Sequence, residues 1–377
     1  MLKAPMRSPL DLTILQGAFY PVPPVRGGAV EKLWYQLGRA FAAQGHRVTQ
    51  ISRAVPELPA RETIAGVKHV RVPGYDQPAS GLMLKFRDWN YTRRALRACP
   101  AADITITNTF FAPLLAGQFH GKIYVSVERM PKGQMRFYRR AARLRACSTA
   151  VGDAIKRQAP ALAERVLTIP NPLPFEPDTP APSPAQKKDL LYVGRVHPAK
   201  GLELLLPAFI RAKAEGQIST AHRLCLVGPV ETAKGGGGET WWGKLQAQYT
   251  DESIRWLGPI YDPAALNDLY KSALGFVYPT TDATGEAMPV APLEAMAWGC
   301  VPVVSKLDCF RDFITNGQNG IVFDHLATDA VGSLARALAA ALSPASHDLS
   351  TAAISVRQSH SLHRIADMFL SDFADLL

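Results

Sequence analysis

Two cations in the second half of the chain follow a short apolar run. Arg195 and Lys200 belong to the stretch LLYVGRVHPAKG at residues 190–201, whose first residues are typical of a buried strand. Two cations on one strand-end loop can bind two phosphoryl oxygens and stabilise the charge that develops as a diphosphate departs. Two solvated loop cations would have the same spacing, so both interpretations stay open on this stretch alone.

Two carboxylates lie further along, in PTTDATGEAMPVAPLEAMAWGCVPVV at residues 279–304. If a helix starts near residue 291, Glu294 lies in its first turn and Glu286 in the loop before it. The two carboxylates can then accept hydroxyl protons from one sugar and one ribose. The helix N-terminus and the preceding loop would favour a diphosphate; that loop consists of Ala287, Met288, Pro289 and Val290. Glutamates at this spacing are also common without any such role.

A glycine pair stands near the start of the chain. Gly27 and Gly28 lie in PVPPVRGGAVE at residues 21–31, between a predicted first strand and its helix. Backbone amides and a helix N-terminus there can hold a phosphate. A simple turn is the alternative.

These candidates need two sets of alternating strands and helices to position them. The first set of predicted strands covers residues 12–19, 47–52, 68–72, 103–107 and 122–127, with a helix at 29–44; the second covers 190–193, 223–227, 254–257, 275–278 and 301–304. A proline-rich segment separates the sets. The pattern predicts an α/β protein with two doubly wound Rossmann-like domains and a ligand cleft between them.

The predicted domain limits are residues 1–175 and 176–355. The last segment, 356–377, carries Ile365, Met368, Phe369 and Phe373 at helical spacing. We expect it to form a helix that packs back on the first domain.

Composition narrows the functional class. The 377 residues are 47% hydrophobic, and no apolar run reaches the roughly 18–20 residues that span a bilayer. Five cysteines without a Cys-x-x-Cys pair favour reduced thiols in a cytoplasmic protein. No Asp-x-Asp motif, no cluster with metal-ligand spacing and no GKS/GKT phosphate loop occurs. We therefore expect neither a metal nor a cofactor.

Positive charge concentrates in the first half. Residues 1–185 hold 26 Lys and Arg against 12 Asp and Glu, whereas residues 186–377 hold 16 against 20. Positive charge is densest in two segments, 85–97 and 129–145, and the second predicts a helix with Arg136, Arg139, Arg140 and Arg143 on one face. Solvated helix faces are one account. Attraction to anionic lipid or to a phosphorylated acceptor is the other, and nucleic acid is disfavoured because no recognised module is present.

Taken together, the motifs resemble the retaining GT-B glycosyltransferases of the glycogen-synthase-like group 1 kind, family 4 type. The resemblance rests on GGAVE, GHRV, VGRVHPAKG, GEAMPVAPLEAMAWGCVPVV and NGQNGIVF, which span about residues 20–325. It implies that Arg195 and Lys200 hold the donor pyrophosphate, that Glu286 contacts the transferred sugar and that Glu294 contacts the ribose. It further implies that Gly27 and Gly28 meet the phosphates from the opposite domain.

Two positions follow the family pattern less closely. The base would lie in the loop after residue 257, near Pro259 and Ile260. The family commonly has a histidine facing the sugar after a mid-chain strand of the first domain, but here the strand at 122–127 runs into Glu128 and Arg129. Glu128 can support an oxocarbenium-like centre or accept the acceptor's proton; alternatively it is structural and the leaving phosphate serves as base.

The resemblance implies transfer of a hexose-type sugar from a nucleoside-diphosphate sugar, such as a UDP- or GDP-sugar, to an acceptor hydroxyl with retention of configuration. The nucleotide sugar is then a substrate, with no metal required. We expect a role in bacterial polysaccharide, lipid-linked glycan or glycoconjugate synthesis, with an acceptor that is anionic or lipid-linked and with peripheral contact at the inner face of the membrane. A GT-B sugar-nucleotide epimerase and a catalytically silent donor-binding subunit are the alternatives.

Overall fold

The protein forms two compact units. The structure is a computed structural model that describes residues 8–76, 78 and 80–377. Unit 1 contains the described residues up to Pro174 together with His360–Leu377, and unit 2 is Phe175–Ser359. The predicted boundary at residues 355/356 differs from this division, because Val356–Ser359 belongs to unit 2, where Arg357 Nε donates to the Ala297 carbonyl at 2.6 Å.

Unit 1 is built on a mixed sheet. Its described strands are β1 (Asp11–Leu15), β2 (Arg47–Ala54), β3 (Arg61–Ile64), β4 (Val67–Pro73), β5 (Ile104–Thr107), β6 (Lys122–Val127), β7 (Arg143–Ala146) and β8 (Val166–Thr168). Their order is β3-β4-β2-β1-β5-β6-β7-β8. Only β3 is antiparallel among these described strands, so every other strand ends at the same edge of the sheet.

Helices cover both faces of this sheet. They are α1 (Ala29–Ala43), α2 (Gly81–Ala98), α3 (Ala112–Leu115), α4 (Thr149–Gln158) and, at the end of the chain, α12 (Leu362–Leu376). Side chains alternate along β1, so Leu12 and Ile14 pack with α1 and α12 while Leu15 packs with α2 and α3. Phe369 of α12 meets Trp34 of α1 with ring centroids 5.4 Å apart, which anchors the chain end in the unit 1 core.

Unit 2 is built on a parallel sheet. Its described strands are β9 (Asp189–Val193), β10 (Leu224–Val227), β11 (Ile254–Trp256), β12 (Ala273–Tyr278), β13 (Val301–Ser305) and β14 (Ile321–Phe323), in the order β11-β10-β9-β12-β13-β14. Its helices are α5 (Leu202–Ala214), α6 (Glu239–Gln248), α7 (Pro263–Ser272), α8 (Val290–Ala297), α9 (Ala330–Leu342), α10 (His347–Ala353) and α11 (Val356–Ser359). Every residue of β12 is buried, as expected for a parallel strand covered on both faces.

The predicted α/β class with two Rossmann-like sheets is confirmed. The prediction of a basic helix over residues 129–145 is wrong, because a 3₁₀ turn, Gln134–Phe137, and strand β7 occupy that segment. Arg143 is part of β7 and forms an ion pair with Asp372 of α12 instead of sharing a solvated helix face. None of the described helices is long and apolar enough to cross a bilayer.

Candidate functional site

Lys200 and Glu286 form a buried ion pair in unit 2. Lys200 ends the 3₁₀ turn Pro198–Lys200 after β9, and Glu286 lies in the loop between β12 and α8. Their side chains are 10% and 7% exposed, and Lys200 Nζ donates to Glu286 Oε1. The pair therefore stands at the carboxyl ends of two adjacent strands, where parallel sheets bind their ligands.

Two further hydroxyl groups fix the same carboxylate oxygen. Tyr278 and Thr280 each donate to Glu286 Oε1 at 3.2 Å, and Tyr278 Oη accepts from Lys200 Nζ at 3.0 Å. Burial, followed by the charge of Glu286, raises the pKa of Tyr278 well above its usual value, so it stays a hydroxyl donor. Glu286 Oε2 receives no hydrogen bond from the described residues, which leaves that oxygen able to accept from a ligand hydroxyl.

Gly201 brings the two loops together. It has φ 73°, and a Cβ on it would overlap the carbonyl oxygen of Pro279. The loops are also tied by the Thr281 amide, which donates to the Ala199 carbonyl at 3.1 Å. Thr280 Oγ1 lies 3.0 Å from the same carbonyl, so its single proton is shared between that oxygen and Glu286 Oε1. A side chain at position 201 would therefore separate Lys200 from Glu286.

Arg195 differs from Lys200 in its surroundings. It is exposed, and its guanidinium makes one hydrogen bond, NH1 to the Gly235 carbonyl at 3.1 Å, within the described part of the chain. Tyr192 Oη donates to the Arg195 carbonyl at 2.7 Å and fixes the backbone of this loop. The two cations predicted as one phosphate-binding set are thus one exposed guanidinium and one buried, already paired ammonium.

Glu294 is held by a tyrosine from the neighbouring helix. Tyr270 of α7 is fully buried and donates from Oη to Glu294 Oε2 at 2.8 Å. Helix α8 begins at Val290, so Glu294 lies in the second turn and not in the first as predicted. Pro289 is the N-cap and its side chain accepts no hydrogen bond, which leaves the first-turn amides of α8 without a side-chain cap. Ala287 and Met288 are buried in the loop before it.

The predicted base loop follows β11. Ile260 is half-buried there, and Trp256 Nε1 donates to the Gly228 carbonyl at 3.2 Å, which links this loop to the end of β10. Tyr261, which is 71% exposed, and Lys234 lie beside it, with Lys234 Nζ 6.0 Å from the tyrosine ring centroid. The described contacts connect Ile260 with neither Glu286 nor Glu294.

Unit 1 contains a cavity of about 570 Å³ at the carboxyl ends of β1, β5 and β6. Carboxyl groups face it from three elements: Glu31 of α1, Asp88 of α2 and Glu128 after β6. Arg129 is the cation among its lining residues, and the amide oxygen Oδ1 of Asn108 is buried there without a hydrogen-bond partner. Phe19, Tyr20, Phe110 and Tyr138 supply aromatic surface.

Glu128 is fixed by a buried arginine. Arg145 of β7 is fully buried and donates from NH1 to Glu128 Oε1 at 2.6 Å, and Ser126 Oγ donates to the same oxygen at 2.6 Å. Arg145 also donates to the Ile169 carbonyl and to Asn171 Oδ1, each at 2.7 Å. Glu128 is thus an ion-paired carboxylate in the wall of the cavity.

The glycine pair adjoins a second carboxylate. Gly27 and Gly28 both have positive φ, 82° and 100°, and Gly28 is the N-cap of α1. A Cβ on Gly28 would overlap the carboxylate of Glu31, which is buried in the first turn of that helix. Burial raises the pKa of Glu31, and it raises the pKa of Asp88 to about 6. The N-terminus predicted to hold a phosphate therefore already has a carboxyl group beside it.

Several of these groups were not predicted from the sequence. Tyr278 ends a predicted strand and Thr280 follows it, so their position at a strand's carboxyl end was a usable signal. Tyr270, Arg145 and Asp88 come from elements distant in sequence, and no spacing pointed to them. No cluster of three or more His, Cys, Asp or Glu side chains suited to a metal ion occurs among the described residues.

Comparisons with known proteins agree with this architecture. Residues 27–176 match the model "Glycosyltransferase Family 4" and residues 187–343 match the model "Glycosyl transferases group 1". The phosphatidyl-myo-inositol mannosyltransferase of Mycobacterium tuberculosis strain H37Rv is 31% identical over 177 residues, which are 45% of this chain and 43% of the relative. The match thus spans less than half the length of that curated relative.

Solved structures align along nearly the whole chain. Sucrose-phosphate synthase from Thermosynechococcus elongatus aligns with a TM-score of 0.75 at 19% identity over 97% of this chain and 99% of that one. Anabaena HepE in complex with UDP and glucose gives 0.70 at 15% over 97% and 100%. Starch synthase IV from Arabidopsis thaliana, bound to ADP and acarbose, gives 0.72 at 13% over 98% and 99%. The chain belongs to the group 1, family 4 glycosyltransferases of the GT-B type, and a transferase is the enzyme class that these matches support.

Proposed function

We propose that this protein transfers a hexose-type sugar from a nucleoside-diphosphate sugar to an acceptor hydroxyl with retention of configuration. The observation that carries the proposal is the Lys200–Glu286 pair at the carboxyl ends of β9 and β12, with one oxygen of Glu286 open to a ligand. Neighbours crystallised with UDP, UDP-glucose or ADP lend support for a nucleotide-sugar donor.

Unit 2 would hold the donor. Glu286 Oε2 would accept a hydrogen bond from a hydroxyl of the sugar, and Glu294, oriented by Tyr270, would accept one from the ribose. The uncapped amides of α8 and the exposed guanidinium of Arg195 would bind the diphosphate. The roles of Pro289, Val290 and Ile260 in lining the donor, and of Gly27 and Gly28 in meeting its phosphates, stay predictions.

In the reaction, the bond between the anomeric carbon and the β-phosphate oxygen breaks, and a bond from the acceptor oxygen to that carbon forms on the same face. The nucleoside diphosphate leaves with the bonding electron pair, and Arg195 and Lys200 stabilise its growing charge. The acceptor proton goes to the leaving phosphate or to Glu128. The surroundings of Glu128 favour the phosphate, because Glu128 Oε1 already accepts hydrogen bonds from Arg145 NH1 and Ser126 Oγ.

The acceptor's hydroxylated part would occupy the carboxyl-lined cavity of unit 1. Glu31, Asp88, Glu128 and Asn108 offer oxygens that accept hydroxyl protons, and the aromatic side chains offer flat apolar surface. The sequence predicted an anionic acceptor, but this cavity has more carboxyl groups than cations, so any phosphate of the acceptor would bind outside it. The mycobacterial relative, named for phosphatidyl-myo-inositol, is in keeping with a lipid-linked acceptor. Polysaccharide acceptors and a cytoplasmic location stay predictions.

The direct test is nucleoside-diphosphate release from a panel of UDP-, GDP- and ADP-sugars by the full chain, with and without EDTA. We expect one donor to turn over, EDTA to have no effect, and Glu286→Gln to lower the rate at least a hundredfold, on the order of one lost electrostatic contact in an active site. Glu252→Gln, an exposed unit 2 glutamate, is the matched control.

The outcomes of this assay distinguish the transferase hypothesis from its two alternatives. Binding of a donor without release, even with candidate acceptors added, would support a silent donor-binding subunit. Interconversion of the sugar without an acceptor would support an epimerase. A product whose anomeric configuration is inverted, determined by NMR, would contradict retention, and no binding of any donor would overturn the site.

A further inference from the structure

Helix α2 presents an unusual solvent face. At its N-terminal end Leu82, Met83 and Phe86 are 83%, 47% and 69% exposed. Phe86 follows Leu82 by four positions and Met83 by three, so it lies beside both on one side of the helix. The opposite side, with Tyr91, Ala95 and Leu96, is buried against the unit 1 sheet. Three large apolar side chains in one exposed patch are a recurrent sign of an interaction surface.

The C-terminal part of the same exposed face is basic. Arg87, Arg93, Arg94 and Arg97 are exposed and, with Tyr75, line a cavity of about 500 Å³. Within the described part of the chain none of the four forms an ion pair with a carboxylate. Lys85 adds a further exposed cation between the apolar and the basic ends.

The acidic residue of α2 points away from this face. Asp88 and Leu84 line the carboxyl cavity of unit 1, so α2 forms a wall of that cavity with one side and carries the apolar and basic groups on another. Every charged side chain on the solvent face of α2 is therefore positive, with the neutral Asn90 among them. A ligand that suits it combines an apolar interior with a surface of negative charges.

We propose that α2 docks on an anionic lipid surface, with Leu82, Met83 and Phe86 inserted among the acyl chains and the four arginines bound to headgroup phosphates. Such segregation of apolar and basic groups is typical of helices that lie at a membrane interface. Neither the apolar insertion nor the binding of headgroup phosphates needs a sugar donor or a transfer reaction, so the docking is independent of the proposed function. It brings the wall of the carboxyl cavity to the lipid surface.

The test is flotation of the full chain with vesicles of phosphatidylcholine alone or with 30 mol % phosphatidylglycerol, at about 50 mM and 300 mM salt. Binding is expected only to the anionic vesicles and to weaken with salt. Arg93→Ala/Arg94→Ala is expected to lower the partition coefficient more than tenfold, because each cation near such a surface contributes about fivefold. Leu82→Ser/Phe86→Ser is expected to lower it about tenfold or more.

The matched control is Lys32→Ala/Arg39→Ala, which removes the same charge from exposed positions of α1, the helix on the other face of the sheet. All substituted positions are exposed, and circular dichroism of each variant checks that folding is unchanged. Equal losses in the control would show a general charge effect and overturn the docking. So would unchanged binding of the serine variant, a dimer that dissociates in that variant without vesicles, or preference of these arginines for single-stranded RNA over vesicles.

Discussion

The buried ion pair between Arg145 and Glu128 is expected to stabilise unit 1, although Glu128 also lines the cavity proposed to bind the acceptor. Arg145 is fully buried and Glu128 is 7% exposed, with 2.6 Å between NH1 and Oε1. Removing one partner of such a pair leaves an uncompensated buried charge, which typically costs about 3–5 kcal/mol. We expect Arg145→Met to lower the free energy of unfolding of unit 1 by about 4 kcal/mol, and Glu128→Gln by about 3 kcal/mol.

The double variant is expected to be less destabilised than the sum of the singles. It contains no unpaired charge, although the Ile169 carbonyl and Asn171 still lose their donor. We expect a coupling free energy of about 2 kcal/mol between the two positions, which would be a large fraction of the roughly 5–15 kcal/mol that stabilises a typical domain.

Native-state hydrogen exchange of peptides from β6 and β7, followed by mass spectrometry, measures the free energy of unfolding of unit 1 alone and hence the coupling free energy. The exposed pair Arg47–Asp11 provides the control cycle, for which we expect coupling near the error of measurement. Additivity of Arg145→Met and Glu128→Gln within about 0.5 kcal/mol would refute the reasoning. Activity of Glu128→Gln, once corrected for the folded fraction, then tells a structural role from a chemical one.

Two smaller predictions concern stability. Gly201→Ala should lower the free energy of unfolding, measured in urea, at least twice as much as Gly216→Ala. Both glycines have positive φ (73° and 67°), but of the two only Gly201 lies against a carbonyl, that of Pro279. Gly216→Ala should cost about 1 kcal/mol, and equal losses at the two positions would contradict the crowding argument. Burial raises the pKa of Asp88 from 3.8 to about 6, so its ionisation as pH rises through 6 destabilises the folded state. Asp88→Asn should therefore gain up to about 3 kcal/mol over the parent at pH 7.5 and nothing near pH 4; parallel urea midpoints across that range would show that Asp88 does not titrate as proposed.

The architecture could be predicted from the sequence because apolar runs of strand length alternate with segments of helical periodicity. Short or polar strands could not be predicted in this way. β3 has the sequence RETI, with little hydrophobic signal, and β14 is apolar but only three residues long. β7 has the sequence RLRA, whose arginines suggested a helix face. Arg145 is buried only because Glu128, Ser126 and Asn171 surround it in the folded chain. Tertiary pairing of that kind cannot be read from local composition.

Residue type and position predicted which side chains lie at the strand ends of unit 2, but not the contacts between them. The sequence assigns Lys200 and Glu286 to different parts of a ligand. In the structure they form a hydrogen bond with each other, although they are 86 positions apart in the chain. The fixed backbone of Gly201 and the loop contacts to Ala199 produce that pairing, and neither is visible in the spacing of charges.

The ion pair between Lys200 and Glu286 implies different roles for Arg195 and Lys200 in the proposed reaction. An exposed guanidinium such as Arg195 can attract the diphosphate equally in the bound donor and in the transition state, so its main effect falls on binding. The Lys200 ammonium is already paired with Glu286. In the proposed reaction it would gain a stronger partner only when negative charge grows on the departing phosphate oxygen. An interaction that strengthens during bond cleavage lowers the barrier itself, since catalysis depends on the difference between transition-state and ground-state binding. Because Glu286 and Lys200 form one buried ion pair, the proposed sugar contact and the proposed stabilisation of the leaving group would be coupled, and we expect the two residues to act as a unit.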